Sequence, residues 1–258
     1  MTEKEEVGSS ERQGVQVIAR AAALLRALQH RPEGMTLGEL AKAISLPRST
    51  VQRLVDALDR EGLVLAASTA SGVRLGPSLL ALAAATRFHI AEVARRTLEA
   101  LAKDTGETVD LSLADQDKVV FIDQVPGTHR LTAVSAVGVS FPLHSSAPGK
   151  AILAAMDDEE IDRLRPRMKL VSQTPATITT WEELQREVRL IRKRGYAFDR
   201  DENSLGISAV AVAIRNPSGE IAAISIPAPT QRFSETETDL TESLLRHVSR
   251  LQDKLSRR

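Results

Sequence analysis

The chain has 258 residues, of which 42% are hydrophobic, so it is long enough to form two domains that each have a hydrophobic core. It carries 34 basic and 34 acidic residues, and this balance excludes a coat that binds nucleic acid over its whole surface. The absence of cysteine excludes disulfides, thiolate metal sites and cysteine nucleophiles, and 3% aromatic residues disfavours modules that stack single-stranded bases.

The chain begins with a polar, acidic segment over residues 1–14, which predicts a disordered lead and not a signal peptide. A helix is predicted over residues 15–30, where Ile18, Leu25 and Leu28 recur in phase. No apolar run approaches the roughly 18 residues that span a bilayer. We therefore expect a cytoplasmic protein with no membrane partner.

The next segment predicts two short helices joined by a tight turn. Thr36 and Glu39 form a capping box at the start of the first helix, and Pro47 suits the first turn of the second. The turn at Ser45 lacks the glycine that is common there. These features favour a helix-turn-helix, and the alternative is a helical hairpin with a solvated polar face.

The second helix has one apolar face and one polar face. In a helix-turn-helix, the N-terminal part of this second helix contacts base edges in the major groove, and nearby groups hold phosphates. The side chains predicted to contact DNA are Thr36, Arg48, Ser49, Thr50, Gln52, Arg53 and, further along, Arg74.

Two short apolar runs at residues 63–65 and 73–75 predict a hairpin, because the residues between them favour a turn. A hairpin after two such helices indicates a winged helix-turn-helix over residues 15–76. Between Arg12 and Arg74 the chain has nine basic and five acidic residues, an excess that suits a module for double-stranded DNA.

A linker helix is predicted over residues 77–88, because Gly76-Pro77 breaks the chain and the apolar, alanine-rich run that follows suits a buried helix. The second domain is predicted over residues 89–258 and begins with a helix at 89–103. Its alternation of strands and helices predicts an α+β fold with one antiparallel sheet. The strands are predicted at 108–113, 118–125, 131–137, 207–214 and 221–226, and the helices at 149–156, 158–163, 182–193 and from a capping box at Ser234 and Glu237 to about Leu255.

Three separate motifs resemble the IclR family of bacterial transcriptional regulators. They are AISLPRSTVQRLVDALDREGLV, PLHSSAPGKAIL and GYAFDRDENSLGISAVAVAIRNPSGEIAAISIPAP. The resemblance implies a winged helix-turn-helix, a linker helix and a GAF-like C-terminal domain that binds a small effector, an organic acid or an aromatic compound. It also implies a homodimer or homotetramer that acts on a palindromic operator as a repressor or an activator.

The resemblance further implies an effector pocket, which lies beside a helix that starts near Gly149. Free N–H groups at such a start favour a carboxylate. The implied pocket residues are Ser146, Ala147, Pro148, Asp199, Ala209, Ser225 and Pro227.

The chain departs from the family at two pocket positions, Ala209 and Pro227, where relatives often have a cysteine and a hydroxyl residue. Our hypothesis is that this pocket is more apolar than an oxo-acid site and accepts an aromatic or larger hydrophobic acid, or a neutral compound. The alternative is that the two residues only repack the sheet.

Two other interpretations of the second domain compete with effector binding. His144 and Ser146 are the residue types of a hydrolase, although no nucleophile-elbow motif accompanies them. Asp199, Asp201 and Glu202 could hold a metal but lack the spacing of a calcium loop. We expect no catalytic residue, no metal and no cofactor.

Overall fold

The computed structural model describes residues 3–29, 31–66, 72–85, 89–133, 135–216 and 219–255. The chain divides into two compact units, residues 1–87 and 88–258. Within the described ranges, no helix combines the length and the apolar character needed to cross a membrane.

The N-terminal unit is a bundle of helices with a small hairpin. Its described elements are α1 (Glu3–Gln29), α2 (Leu37–Ala43), α3 (Arg48–Arg60), β1 (Val64–Ala66), β2 (Val73–Leu75) and α4 (Ser78–Ala85). α1 begins at Glu3, which differs from the disordered lead predicted over residues 1–14. The segment contains four glutamates and no proline, so no residue in it blocks a helix outright, although its two glycines are poor helix formers.

The helix-turn-helix follows the predicted local geometry. Thr36 and Glu39 form the capping box of α2, and Pro47 lies at the N-cap position, one residue before the first turn of α3, without a side-chain capping bond. Ser45 takes the left-handed backbone conformation, with φ of 52°, at the turn where a glycine is common. The buried face of α3 packs into the core of this unit through Val51, Leu54, Val55 and Leu58.

The linker helix α4 forms at the predicted place, but its leucines are not buried within the chain. Leu80 is 75% exposed and Leu82 is 58% exposed. The prediction of a buried helix is therefore wrong for the single chain, because both leucines lie outside its three hydrophobic cores.

The C-terminal unit is an α+β domain. Its described elements are α5 (His89–Thr105), β3 (Val109–Asp115), β4 (Lys118–Val125), β5 (Ser140–Pro142), α6 (Ala147–Ala155), α7 (Asp158–Leu164), α8 (Trp181–Arg194), β6 (Ala197–Arg200), β7 (Ile207–Arg215), β8 (Ile221–Pro229) and α9 (Thr230–Leu255). The strands form one antiparallel sheet in the order β5-β4-β3-β8-β7-β6.

Helices cover both faces of this sheet. α5 and α9 pack on one face, where Leu111, Val210 and Ile224 point, and α6 and α8 pack on the other, against Ala209 and Ala223. Because side chains alternate along a strand, neighbouring residues of the same strand belong to different cores. This alternation decides which residues reach the site described below.

Two predictions for this unit were wrong, and two strands were missed. Residues 131–133 and 135–137 form no strand, because the Gln124 side chain holds the carbonyl of Ser135 and a turn follows at Gly138, with φ of 88°. β5 and β6 were not predicted, since strands of three and four residues carry too short a pattern. α9 begins at Thr230, and the Ser234 hydroxyl donates inside that helix to the carbonyl of Gln231 in place of capping a helix start.

Candidate functional site

The polar face of α3 is open to solvent, while its apolar face holds it in the core. Arg48, Ser49, Gln52 and Arg53 are exposed, and Thr50 is half-buried. The structure therefore presents five of the predicted DNA-contacting residues on one helix surface. The arrangement suits entry into a major groove, which is wide enough for one helix.

Two of the predicted DNA contacts already have partners within the chain. The Thr36 hydroxyl donates to Oε2 of Glu39 at 2.8 Å as part of the cap, so its first role is to start α2. Nε2 of Gln52 donates to Oδ1 of Asp56 at 2.7 Å and would have to leave it to reach a base.

The hairpin is fixed against α3 by one hydrogen bond, which the N–H of Ala66 donates to Oδ1 of Asp59 at 2.9 Å. Arg74 is exposed on β2, opposite Leu65. A cation on a hairpin held at a fixed position beside α3 can contact a phosphate next to the groove that α3 enters.

The C-terminal unit contains a partly open cavity of about 110 Å³ on the face of the sheet that α6 covers. Six of the seven residues implied by the resemblance line it: Ser146, Pro148, Asp199, Ala209, Ser225 and Pro227. Ala147 does not line it, because this residue is fully buried in the core formed with α8.

Part of the cavity wall was not predicted from the sequence. The additional lining residues are Asp110, Phe121, Ala133, Ser135, Phe141, Asn203, Ser204 and Ile207. Phe121 and Phe141 meet edge to face with their ring centroids 5.1 Å apart, which gives the cavity an aromatic side. Alternation in VDLSL places Asp110 on the cavity face, and this was the signal available in the sequence.

Asp110 is a buried carboxylate held by neutral partners. Its Oδ1 accepts from Nε2 of Gln124 at 2.7 Å, and its Oδ2 accepts from the Ser135 hydroxyl. Burial raises the pKa of Asp110 to about 6, although both hydrogen bonds oppose that rise.

Asp199 is the second buried carboxylate of the cavity. Its Oδ1 accepts from the backbone N–H of Glu202 at 2.7 Å. Burial raises the pKa of Asp199 to about 7, and the negative charge of Glu202 adds to this rise while Lys150 opposes it.

Lys150 and Glu202 form a buried ion pair behind the cavity. Lys150 is 1% exposed, and its Nζ lies 2.5 and 2.6 Å from the two carboxylate oxygens of Glu202. The hydroxyls of Thr174 and Thr177 bond to the carbonyl of Glu202 and hold the loop that carries it. The pair therefore links α6 to the loop that follows β6.

The start of α6 offers few backbone donors to a ligand. The Ser146 hydroxyl caps the helix by accepting from the N–H of Gly149, and it donates to the carbonyl of Pro142. Pro148 has no N–H. The start of α6 therefore favours a carboxylate less than the sequence predicted.

The geometry gives no support to a hydrolase built on His144 and Ser146. Nε2 of His144 lies 3.1 Å from the carbonyl of Val171, and the Ser146 hydroxyl donates to Pro142. Each side chain is thus committed to a backbone carbonyl and not to the other, as a nucleophile and its base would be.

A larger groove of about 270 Å³ lies between α6, α7 and α8, where Trp181, Ile161 and Arg192 line it. It contains none of the predicted effector residues. Arg192 donates there to the carbonyls of Ala154 and Met156, which closes the end of α6. The smaller cavity is the better candidate because it contains the predicted effector residues and two buried carboxylates beside an apolar wall.

The raised pKa of Asp199 predicts a pH-dependent stability. A carboxylic acid with its pKa raised from about 4 to about 7 binds its proton more tightly when folded, so stability falls as the pH rises through that window. Asn cannot ionise. At about 1.4 kcal/mol per pKa unit, we expect Asp199→Asn to gain about 4 kcal/mol relative to the wild type between pH 4 and pH 8.

Urea unfolding of both proteins at these two pH values measures this difference. Asp115→Asn, an exposed position on β3, serves as the control and is expected to show no such gain. An equal stability difference at both pH values would show that Asp199 does not titrate in this range.

A unit that presents the polar face of a helix-turn-helix, joined to a unit with a ligand-sized cavity, is the arrangement of transcriptional regulators that have an effector-binding domain. Family models agree with both units. The IclR helix-turn-helix domain matches residues 17–66, and the C-terminal domain of the bacterial transcriptional regulator IclR matches residues 82–257.

Individual proteins agree with the family models. The transcriptional regulator Rv1719 of Mycobacterium tuberculosis is 43% identical over 238 residues, which cover 92% of this chain and 92% of that protein. The solved structure of the Thermotoga maritima IclR protein is 31% identical, with a TM-score of 0.69, and the match covers 93% of this chain and 99% of that chain. The chain belongs to the IclR family of bacterial transcriptional regulators.

One further structure shares the fold at lower identity. An IclR homologue from Microbacterium hydrocarbonoxydans, solved with 4-hydroxybenzoate, has a TM-score of 0.76 and 23% identity. The match covers 94% of this chain and 100% of that chain.

Proposed function

We propose that this protein binds a specific double-stranded operator through α3 and the β1–β2 hairpin, and that a small molecule in the C-terminal cavity changes its affinity for DNA. The observation that carries this proposal is the pairing, in one IclR-family chain, of an exposed polar helix face with a cavity lined by buried polar and apolar side chains. A ligand shifts the equilibrium between a state with high affinity for DNA and a state with low affinity only if it binds these two states with different affinities.

The DNA-contacting residues divide into two roles in this proposal. Arg48, Ser49, Gln52 and Arg53 read base edges or adjacent phosphates from α3, and Arg74 contacts a phosphate from the hairpin. Thr50 adds a hydroxyl near the start of α3, and Thr36 acts through the cap that positions α2. Arginine and glutamine are suited to base edges, since both form two hydrogen bonds at once.

The acting form in this proposal is a homodimer or homotetramer on a palindromic site. Exposed apolar side chains of the N-terminal unit support it: Ile18 is 72% exposed and Leu80 is 75% exposed. An isologous interface presents the same patch from both subunits, so two such helices can cover each other. The protein acts in the cytoplasm, by binding and not by catalysis.

The ligand in this proposal is an aromatic or otherwise apolar compound. Ala209 and Pro227 remove polar groups from the cavity, while Phe121 and Phe141 add ring surface. A closed cavity of roughly 150 Å³ holds benzene, whereas this cavity of about 110 Å³ is smaller but partly open, so a compound with one ring is the largest class that it suits. The Microbacterium homologue was solved with 4-hydroxybenzoate, which also has a single ring.

Calorimetric titration of the full chain tests this ligand class. We expect single-ring aromatic compounds to bind at least about tenfold more tightly than glyoxylate or pyruvate, because only the ring fills the apolar part of the cavity. Tight binding of the oxo-acids without binding of any aromatic compound would contradict the proposal. Ala209→Leu, which narrows the cavity, is expected to weaken the aromatic ligands, and thermal unfolding reports whether this variant is folded.

A further inference from the structure

We propose that the cavity selects ligands with hydrogen-bond donors facing Asp110 and Asp199, and excludes ligands with a carboxylate at either position. The selected class is a small aromatic compound with hydroxyl or ammonium groups at its two ends. This inference rests on the proposed function, since it takes the cavity to be the ligand site.

The strand register places the two carboxylates on one face of the sheet and at opposite sides of the cavity. Asp110 on β3 pairs with Ser225 on β8, and Asp199 on β6 pairs with Ala209 on β7. Ala209 in turn pairs with Pro227 on β8. Three strand spacings and an offset of two residues along the strands therefore separate the two aspartates, roughly 16 Å between backbones. The floor between them consists of small side chains that leave room for a ring.

Both carboxylates keep the capacity to accept further hydrogen bonds. Each oxygen of Asp110 accepts one described bond, from Gln124 or Ser135, and a carboxylate oxygen has two lone pairs. All the described donors to Asp199 reach its Oδ1, so its Oδ2 accepts no bond from the described part of the chain. A ligand donor can satisfy either group without displacing a protein partner.

No described residue that lines the cavity is basic, so no positively charged side chain there compensates a ligand carboxylate. The charge of Lys150 acts on Asp199, but its ammonium is bound to both oxygens of Glu202.

The start of α6 supplies neutral donors only. Pro148 lacks an N–H and the N–H of Gly149 is bound by the Ser146 hydroxyl, which leaves the N–H of Ala147 as a neutral donor. A ligand carboxylate would thus meet two acidic groups without a positive counter-charge, which in a largely buried site favours protonation of one of them.

The electrostatic surroundings agree with this selection. Burial raises the pKa of both aspartates, to about 6 for Asp110 and about 7 for Asp199. The charged groups acting on Asp199 are Glu202 and Lys150, whereas Asp110 faces only the neutral Ser135 and Gln124. A ligand donor stabilises the ionised form of each acid, and a ligand carboxylate opposes it.

Three probes that share one ring and nearly one size test the selection: 4-hydroxybenzyl alcohol, 4-hydroxybenzylamine and 4-hydroxybenzoate. Calorimetric titration uses the full chain at pH 7.5 and fixed ionic strength. We expect the alcohol and the amine to bind at least about tenfold more tightly than the benzoate, since only the benzoate buries a charge beside a like charge.

Substitution of each aspartate tests whether the two acids cause this selection among ligands. Asp110→Asn and Asp199→Asn are each expected to reduce the preference over the benzoate by at least about threefold, whereas the control Asp115→Asn leaves it unchanged. Thermal unfolding checks that the variants are folded, and the comparison of the three probes on the wild type does not depend on them.

Three results would overturn the inference: equal or tighter binding of the benzoate, a preference that neither variant changes, or no binding of any probe at millimolar concentration. Failure of the proposed site has a different result, in which the probes bind but Ala209→Leu does not weaken them. Failure of the proposed DNA-binding role is detected separately by operator binding, which needs none of these probes.

Discussion

Arg53→Ala is expected to lower the affinity for operator DNA by about 10- to 100-fold at 150 mM salt, because one arginine that reads a guanine contributes about 1–3 kcal/mol of discrimination. Arg53 is exposed on α3 and lies beside the buried Leu54, so its backbone position is fixed while its guanidinium is accessible. Fluorescence anisotropy with a labelled duplex from upstream of the protein's own gene measures the change.

The salt dependence of binding separates base reading from phosphate contact. Arg53→Ala is expected to relax the preference for operator over unrelated DNA. Arg74→Ala, on the hairpin, is expected to weaken both about equally and to reduce the salt slope by about one ion. Arg163→Ala on α7 removes the same charge from the other unit and is the control. Operator binding that is unchanged in Arg53→Ala would remove this residue from the reading role.

Lys150→Met is expected to lower the free energy of unfolding by about 3–5 kcal/mol at pH 7, because it leaves the carboxylate of Glu202 buried without its cation. Solvent cannot take the place of Glu202 as the partner of the Lys150 ammonium, since Lys150 is 1% exposed. Burial already raises the pKa of Glu202, and the charge of Lys150 opposes that rise. Urea unfolding followed by circular dichroism measures the loss.

Two further observations decide whether the loss comes from the unpaired charge. The double variant Lys150→Met, Glu202→Leu is expected to recover a large part of the stability, since it buries no charge. The loss in the single variant is expected to shrink as the pH falls, because protonated Glu202 is neutral. A loss below about 1 kcal/mol, or one that does not depend on pH, would show that the pair contributes little.

The parts of the fold that were predicted from the sequence depend on neighbours along the chain. The cap at Thr36 and Glu39 and the buried face of α3 follow from spacings of three and four residues. The hairpin of β7 and β8 likewise followed from two apolar runs and a turn, of which Pro217-Ser218 lies outside the described residues.

The parts that were not predicted depend on contacts between distant segments. Residues 131–137 have the composition of a strand. The side chains of Gln124 and Asp110 instead hold Ser135 by hydrogen bonds, and no spacing within the segment predicts these bonds. The ion pair of Lys150 and Glu202 joins residues 52 positions apart. Single-sequence patterns describe local structure and contain little information on such pairs.

The candidate cavity shows the same division. The family resemblance identified six of its lining residues, because motifs preserve the position of a site. It also implied Ala147, which faces the core, since adjacent residues at the start of a helix point in different directions. Asp110 was missed because its strand passes beside the pocket only once the sheet is assembled. The chemical character of the cavity therefore became visible only in the folded chain.

Selection of bound sequences from a random duplex library is the most direct test of the central claim, that this protein recognises a specific operator through α3. With the full chain at 150 mM salt, we expect enrichment of one inverted repeat, whose half-sites lose enrichment in Arg53→Ala. A library that stays unenriched for the wild type, or an identical motif selected by Arg53→Ala, would contradict it.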